Sequence, residues 1–200
     1  MAYHLALRAF DVNTPYGESS SFLTPELWSI HPNQVWQQPV MLTSVPQAHN
    51  YKSQARYTRL PAIGFSTDNA RGVRLADAIE DNFSAFADQG VQVMDVPGDK
   101  VTYVFEWPGH DTVKKQVNAR RKHGVQSRNR IAQQIAKIVE DFINKRVDRG
   151  AIPSVPGWRV GPGFIEFGSV YLVELKRISK SSWVAKLAVP SELASASVFY

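Results

Sequence analysis

One amphipathic helix, predicted over residues 127–149, constrains the fold of this chain more than any other stretch. Its apolar residues recur at spacings of three and four, which is the period of one helix face and differs from the alternation of a strand. Ser127 suits the N-cap position, and Gly150 follows a group of cations where a helix should end. The apolar face, which predicts a packed core, consists of Ile131, Ile135, Ile138, Val139, Phe142, Ile143 and Val147.

The rest of the sequence predicts one α+β domain preceded by an extended arm. Prolines recur through residues 1–59, where they interrupt helices and central strands alike. Trp28 and Trp36 argue against a solvated linker, so we expect this arm to pack on the domain or on a neighbouring subunit. Residues 60–190 form the predicted compact domain, and residues 191–200 form a tail. We expect an antiparallel sheet of about five to six strands with two or three helices.

The elements of the predicted domain follow from periodicity and turn residues. Along residues 170–178, alternation predicts one face of a strand with Tyr171, Val173 and Leu175, and an opposite face with Leu172, Glu174 and Lys176. In chain order we predict a strand over 60–65, a helix over 73–88, a hairpin of 91–96 with 101–107, a basic helix over 112–123, and strands over 164–167, 170–178 and 183–189.

Positive charge is concentrated in one region. The chain carries a net charge of +5, yet residues 114–149 hold eleven Lys or Arg residues against three acidic ones. Such a segment is consistent with binding to nucleic acid or to an acidic protein surface, but a solvated helix face with basic loops is the commoner explanation. For nucleic acid, the predicted phosphate contacts are Lys114, Lys115, Arg120, Arg121, Lys122, Arg128 and Arg130.

Several classes of chemistry lack the residues that they require. The chain has no cysteine, which excludes disulfides, thiolate metal sites and cysteine nucleophiles. Its five histidines are scattered without the spacing of metal ligands. No phosphate-binding loop or nucleophile motif appears, so we predict no cofactor and no bound metal.

One strand nevertheless suggests an enzyme. The sequence Glu174-Leu175-Lys176 resembles the acidic-x-lysine strand of restriction-endonuclease-like nucleases, in which carboxylates hold magnesium and the lysine orients water. In that family an aspartate usually lies on the preceding strand, whereas here Glu166 and Glu140 are the available carboxylates. A plain solvated sheet face gives the same pattern.

We therefore hold three hypotheses about function. The leading one is a non-enzymatic structural or assembly protein, for example a virion or particle component, that contacts itself or a partner through the arm. The second is a nucleic-acid-binding protein that uses residues 114–130, and the third is a metal-dependent nuclease. We predict no membrane segment and no signal peptide, since no apolar run approaches the roughly 20 residues of a bilayer span. The compartment stays open between the cell interior and a particle.

Overall fold

A computed structural model describes residues 40–47, 60–67, 71–82, 91–95, 99–119, 125–150, 153 and 155–195. These residues form an α+β domain, which confirms the predicted fold class. Its strands are β1 (Leu42–Ser44), β2 (Ile63–Gly64), β3 (Val73–Arg74), β4 (Gln92–Asp95), β5 (Lys100–Phe105), β6 (Val113–Asn118), β7 (Val125–Ser127), β8 (Tyr171–Arg177) and β9 (Ser182–Pro190). Its helices are α1 (Leu75–Ile79), α2 (Arg128–Asp148) and α3 (Ser191–Ser195), with a 3-10 turn at Phe167–Ser169.

The main sheet has seven strands and is built around β8 and β9. The strand order is β2-β8-β9-β5-β6, with β3 also paired to β8 and β1 also paired to β9. All pairings in this sheet are antiparallel except that of β5 with β9. Strands β4 and β7 form a separate two-stranded sheet. Within the described part of the chain, the mixed sheet therefore ends in β2 on one side and in β6 on the other.

Helix α2 packs its apolar face on the main sheet, as the periodicity predicts. Ile131, Ile135, Val139 and Ile143 are all buried, together with Phe142. The Ser127 hydroxyl accepts a hydrogen bond from the Arg130 amide at 3.4 Å, which confirms the predicted N-cap. Gly150 follows the C-cap with a φ of 58°, the left-handed conformation that glycine favours. Of the predicted face, Val147 is the exception, since it is 39% exposed.

A β-bulge changes which residues of β8 face the core. The register between β8 and β9 shifts between Leu172 and Glu174. The extra residue is Val173, so Leu172 and Leu175 both join the main core although they are three positions apart. The strict alternation predicted for this strand is wrong for that reason.

Residues 113–118 form strand β6, so the basic helix predicted over 112–123 is wrong there. Val113 and Val117 are partly buried against the core, while the residues between them are exposed. A spacing of four positions fits one face of a helix and equally one face of a strand. Six residue pairs with β5, from Lys100–Asn118 to Phe105–Val113, decide in favour of the strand.

Three further sequence predictions require correction. The hairpin of 91–96 with 101–107 does not form, because β4 pairs with β7 whereas β5 pairs with β6 and β9. Residues 164–167 contribute one bridge, from Ile165 to Val160, instead of a strand.

The helix predicted over 73–88 is also different in the structure. Residues Val73–Arg74 are strand β3, and α1 ends at Ile79. Asp81 has a φ of 59°, and the Asn82 amide donates to the Asp77 carbonyl at 2.9 Å. This left-handed C-terminal turn is of the Schellman type and stops the helix. The predicted residues 83–88 lie outside the described chain.

Most of the predicted arm also lies outside the described residues, since 1–39 and 48–59 are not described. Residues 40–47 belong to the sheet: β1 pairs with the end of β9, and Val45 is buried. The Gln47 side-chain amide pairs with both backbone groups of Glu106, with distances of 3.1 Å each, much as a peptide of a neighbouring strand would. From the predicted tail, α3 packs Leu193 and Ala194 against the core.

A buried polar network attaches β7 and α2 to the main sheet. The Tyr103 hydroxyl lies 3.2 Å from Gln126 Oε1 and 2.9 Å from Gln134 Oε1, and Gln126 Nε2 donates to the Ala119 carbonyl at 3.1 Å. Burial raises the pKa of Tyr103, so the hydroxyl keeps its proton and acts as a donor. This network fixes the start of α2 over β5.

Candidate functional site

A basic groove lies between β6 and the C-terminal half of α2. It is a shallow cavity of about 290 Å³. Four of its lining cations, Lys115, Lys145, Arg146 and Arg149, lie on the α2 side of β6, whereas Asp141 alone carries a negative charge; the fifth, Lys114, alternates to the opposite face of the strand. We use the name basic groove for the residues Thr112, Val113, Lys114, Lys115, Ile138, Asp141, Phe142, Lys145, Arg146 and Arg149.

The contacts inside the basic groove leave much of its charge exposed to solvent. Lys145 Nζ lies 2.7 Å from Asp141 Oδ2, with side chains 56% and 47% exposed. A pair this exposed contributes little to stability, because water and salt screen it. The Arg146 guanidinium lies 5.4 Å from the centre of the Phe142 ring, and that ring packs edge-on against Phe105. The groove therefore has an aromatic floor at Phe142, with the Arg146 guanidinium over its ring and the exposed Lys145 beside it.

The pKa of His110 responds to the positive charge of the basic groove. Its ring packs edge-on against Phe142 at 5.5 Å. Burial lowers the pKa of His110, the positive charge of Arg146 lowers it further, and Asp111 raises it in part. An anion bound in the groove would oppose the effect of Arg146 and raise the pKa of His110, which makes this residue a spectroscopic probe of occupancy.

Part of the charge also has a role in the helix itself. Lys145 and Arg146 lie in the last turn of α2. Cations at this end interact favourably with the partial negative charge of the unpaired carbonyl groups. Arg149 is the C-cap residue and can share that role, which leaves Lys114 and Lys115 of β6 as cations that the helix end does not require.

The outer edge of β6 faces away from the rest of the described sheet. The Ala119 amide donates to the Asp99 carbonyl at 2.8 Å, which identifies this pair as a hydrogen-bonded one. Hydrogen-bonded and non-hydrogen-bonded pairs alternate along an antiparallel ladder. The pairs of Lys115 and of Val117 are therefore hydrogen-bonded to β5, so the backbone groups of Gln116 and Asn118 point outward. The same alternation holds on β5: Thr102 is paired with Gln116, and its amide points away from β6 and donates to the Ser181 carbonyl beside the opposite edge of β5.

A buried carboxylate supports the end of the basic groove. Glu106 is 8% exposed, and the Thr112 hydroxyl lies 3.4 Å from its Oε1. Its backbone is held by Gln47, as described above. Glu106 therefore ties the loop between β5 and β6 to the segment that contains β1.

The structure separates the residues that we predicted as phosphate contacts. Lys114 and Lys115 lie in the basic groove at the β6 edge. Arg128 lies at the start of α2, and its Nε donates to the Gly64 carbonyl of β2 at 3.1 Å, with Arg130 exposed nearby in sequence. Strands β2 and β6 are the first and last in the strand order. The cations near β2, Arg128 and Arg130, therefore lie at the opposite edge of the main sheet from Lys114 and Lys115. The other three predicted contacts, Arg120, Arg121 and Lys122, lie outside the described residues.

Sequence reasoning missed the helix side of the basic groove. Lys145, Arg146 and Arg149 line it, yet the sequence presents them only as cations at a helix end. A strand assignment for 113–118 would have supplied the missing signal. A strand that directly follows β5 is expected to form a hairpin with it. The apolar face of that hairpin then needs a cover, and α2 is the one long amphipathic helix that the sequence predicts.

Two carboxylates of the nuclease hypothesis, Glu174 and Glu166, have other neighbours. Glu174 Oε2 lies 3.9 Å from Arg71 Nη2, beside a shallow cavity of about 270 Å³ that Arg128 also lines. Glu166 Oε1 accepts a hydrogen bond from the Gly163 amide at 3.3 Å. Within the described ranges, no three His, Asp or Glu residues come together in a way that could hold a metal ion.

Comparison with known proteins adds no family to these observations. No protein-family model matches this chain, and neither a curated protein nor a solved structure shows significant similarity to it. Among the helices of the described residues, none is long and apolar enough to span a membrane.

Proposed function

We propose that this chain is a non-enzymatic assembly protein that binds another protein through the β6 edge of its main sheet. The observation that carries the proposal is β6, which is the last strand of the sheet among the described residues and presents the outward backbone groups of Gln116 and Asn118 beside the basic groove. An exposed strand edge is a template for pairing with another extended chain. A component of a larger particle is one setting in which such contacts are made.

The charges beside this edge make it selective. Lysine on an edge strand opposes pairing with arbitrary strands, because an ammonium group is costly to bring against an apolar or cationic neighbour. In strand addition the main-chain hydrogen bonds supply affinity, and the side chains supply specificity. Lys115 and the cations of α2 thus restrict the partners that β6 accepts.

Gln116→Pro is the direct test of this function. Proline removes the outward amide at this position, while Lys115 and Val117 keep their bonds to β5. Peptides selected from a displayed random library on the immobilised chain should bind the variant at least about tenfold more weakly, a loss of about 1.4 kcal/mol. Isothermal titration calorimetry on the selected peptides measures the change.

Two matched variants complete the experiment. Gln116→Thr keeps the outward amide and should retain binding, whereas Val117→Pro removes an inward bond and should lower the unfolding temperature. If the library yields no binders, or if its binders hold Gln116→Pro as tightly as the wild type, the proposed function is wrong.

Nucleic-acid binding is the second candidate, and the four cations on the α2 side of the basic groove favour it. With about four phosphate contacts, the affinity for a single-stranded oligonucleotide should fall about fiftyfold between roughly 50 and 200 mM salt. Fluorescence anisotropy at these two concentrations measures the change, and Gln116→Pro should not affect it. An oligonucleotide that fails to bind at the lower concentration would remove this candidate.

The metal-dependent nuclease has the least support among the three functions. Glu174 is its central carboxylate and is paired with Arg71. If the chain cleaves nucleic acid and Glu174→Ala leaves that cleavage intact, Glu174 is not a metal-binding carboxylate of a nuclease site on β8.

A further inference from the structure

We infer that the partner segment is an extended acidic peptide, which adds to β6 as an outer strand with its carboxylates above the basic groove. The inference rests on the proposed function and names the chemical class of its partner. It combines two features that the fold brings together, namely the outward backbone groups of β6 and the cations of α2.

The backbone of β6 fixes where such a strand lies. Val113 and Val117 pack toward the core and α2, so Lys115 between them has its side chain on the same face. A strand added at the outer edge would lie about 4.8 Å from β6. It would exchange hydrogen bonds with Gln116 and Asn118, whose backbone groups face it.

The charges then determine the side chains of that strand. Every second residue of an added strand points to the face on which α2 lies. On that face are Lys115, Arg146 and Arg149, together with Lys145, whose charge Asp141 partly offsets. Glutamate or aspartate at every second position would therefore meet several cations. The intervening positions point to the opposite face of the sheet, where short polar or β-branched side chains suit a strand.

The same charges argue against a second copy of this chain at the β6 edge. An edge-to-edge dimer would bring two basic grooves together, and like charges across a strand pair are destabilising. Nucleic acid would satisfy the cations but has no backbone amides or carbonyls in the register of Gln116 and Asn118. An acidic strand uses both features.

Designed peptides test this inference. An alternating Thr-Glu peptide should bind at least about tenfold more tightly than the alternating Thr-Gln peptide, and added salt should reduce the difference. A peptide with the same composition but with its glutamates in one block should bind more weakly than the alternating one. Titration calorimetry gives the affinities.

Amide hydrogen exchange supplies an independent reading in the unmodified chain. When the alternating acidic peptide binds, exchange should slow at Gln116 and Asn118, while Lys115 and Val117 are already protected by β5. This measurement stays decisive even if Gln116→Pro fails to fold.

A pair of charge reversals locates the site. Lys115→Glu should weaken binding of the acidic peptide at least about tenfold. Lys180→Glu makes the same change of charge on an exposed lysine in the turn between β8 and β9, so it should leave binding within about twofold.

Three results would overturn the inference. If the Thr-Gln peptide binds as tightly as the Thr-Glu peptide, β6 takes a neutral partner and only the proposed function survives. If no peptide binds in the designed set or in the library, both fail together. If an oligonucleotide binds and Lys115→Glu weakens that binding, while the acidic peptide does not bind at all, the basic groove is a nucleic-acid site.

Discussion

Trp107→Ala should lower the free energy of unfolding by about 3–5 kcal/mol. The Trp107 side chain is 1% exposed and packs against Phe142 at 6.0 Å and Trp158 at 6.1 Å between ring centres. Its Nε1 also donates to the Trp158 carbonyl at 2.7 Å. Alanine would leave a large cavity between β5, α2 and the loop that holds Trp158, and it would leave that carbonyl without its donor. Guanidinium denaturation followed by circular dichroism measures the loss.

Trp107→Phe separates the two contributions. Phenylalanine keeps an aromatic ring in the site but has no donor for Trp158, so we expect a smaller loss of about 1–3 kcal/mol. A loss below about 1 kcal/mol for the alanine variant would show that the site collapses around the missing ring, and our description of this part of the core would then be wrong.

Gly161→Ala should destabilise the fold by about 2–4 kcal/mol, because two costs act at one position. Gly161 has a φ of +117°, which residues with a Cβ seldom adopt, and the added Cβ would lie 2.8 Å from Val147 Cγ2. Val147 is β-branched and helical, so it cannot rotate away easily. Chemical denaturation of the variant gives the combined cost.

Other glycines of the chain provide the controls. Gly163 has a φ of +77° and nothing within 4 Å of an added Cβ, so Gly163→Ala should show the backbone strain alone. Gly64 has free space and no positive φ, so Gly64→Ala should be close to neutral. Val147→Ala should recover part of the loss in the double variant with Gly161→Ala. Equal stability of Gly161→Ala and Gly64→Ala would contradict the predicted contact.

The part of the fold that sequence predicts well depends on local periodicity. Helix α2 is long, and its apolar spacing, cap and C-terminal glycine all point to the same element. Strands β8 and β9 also follow from their apolar runs. The bulge at Val173 could not be predicted, because it depends on the register with β9 and not on the sequence of β8 alone.

The candidate site depends on contacts between distant parts of the sequence. Val113 and Val117 fit a helix and a strand equally, and only pairing with β5 distinguishes them. Lys115 and Arg146 become neighbours across the basic groove because α2 passes from the β2 edge, where Arg128 binds Gly64, to the β6 edge. Positive charge in 114–149 was visible in the sequence, but its division between two edges was not.

The central position of β9 has a consequence for how the chain reaches its native state. This strand pairs with β8, with β5 and with β1, and the Thr43 hydroxyl bonds to Ser191 across 148 positions of sequence. Pairings between such distant residues form slowly, since a long loop must close before any contact rewards it. During synthesis, β1 and β5 therefore leave the ribosome long before β9, the strand with which both of them pair. Until β9 arrives, the strands that pair with it keep backbone groups and apolar side chains exposed, and chains in such an unfinished state are prone to aggregate.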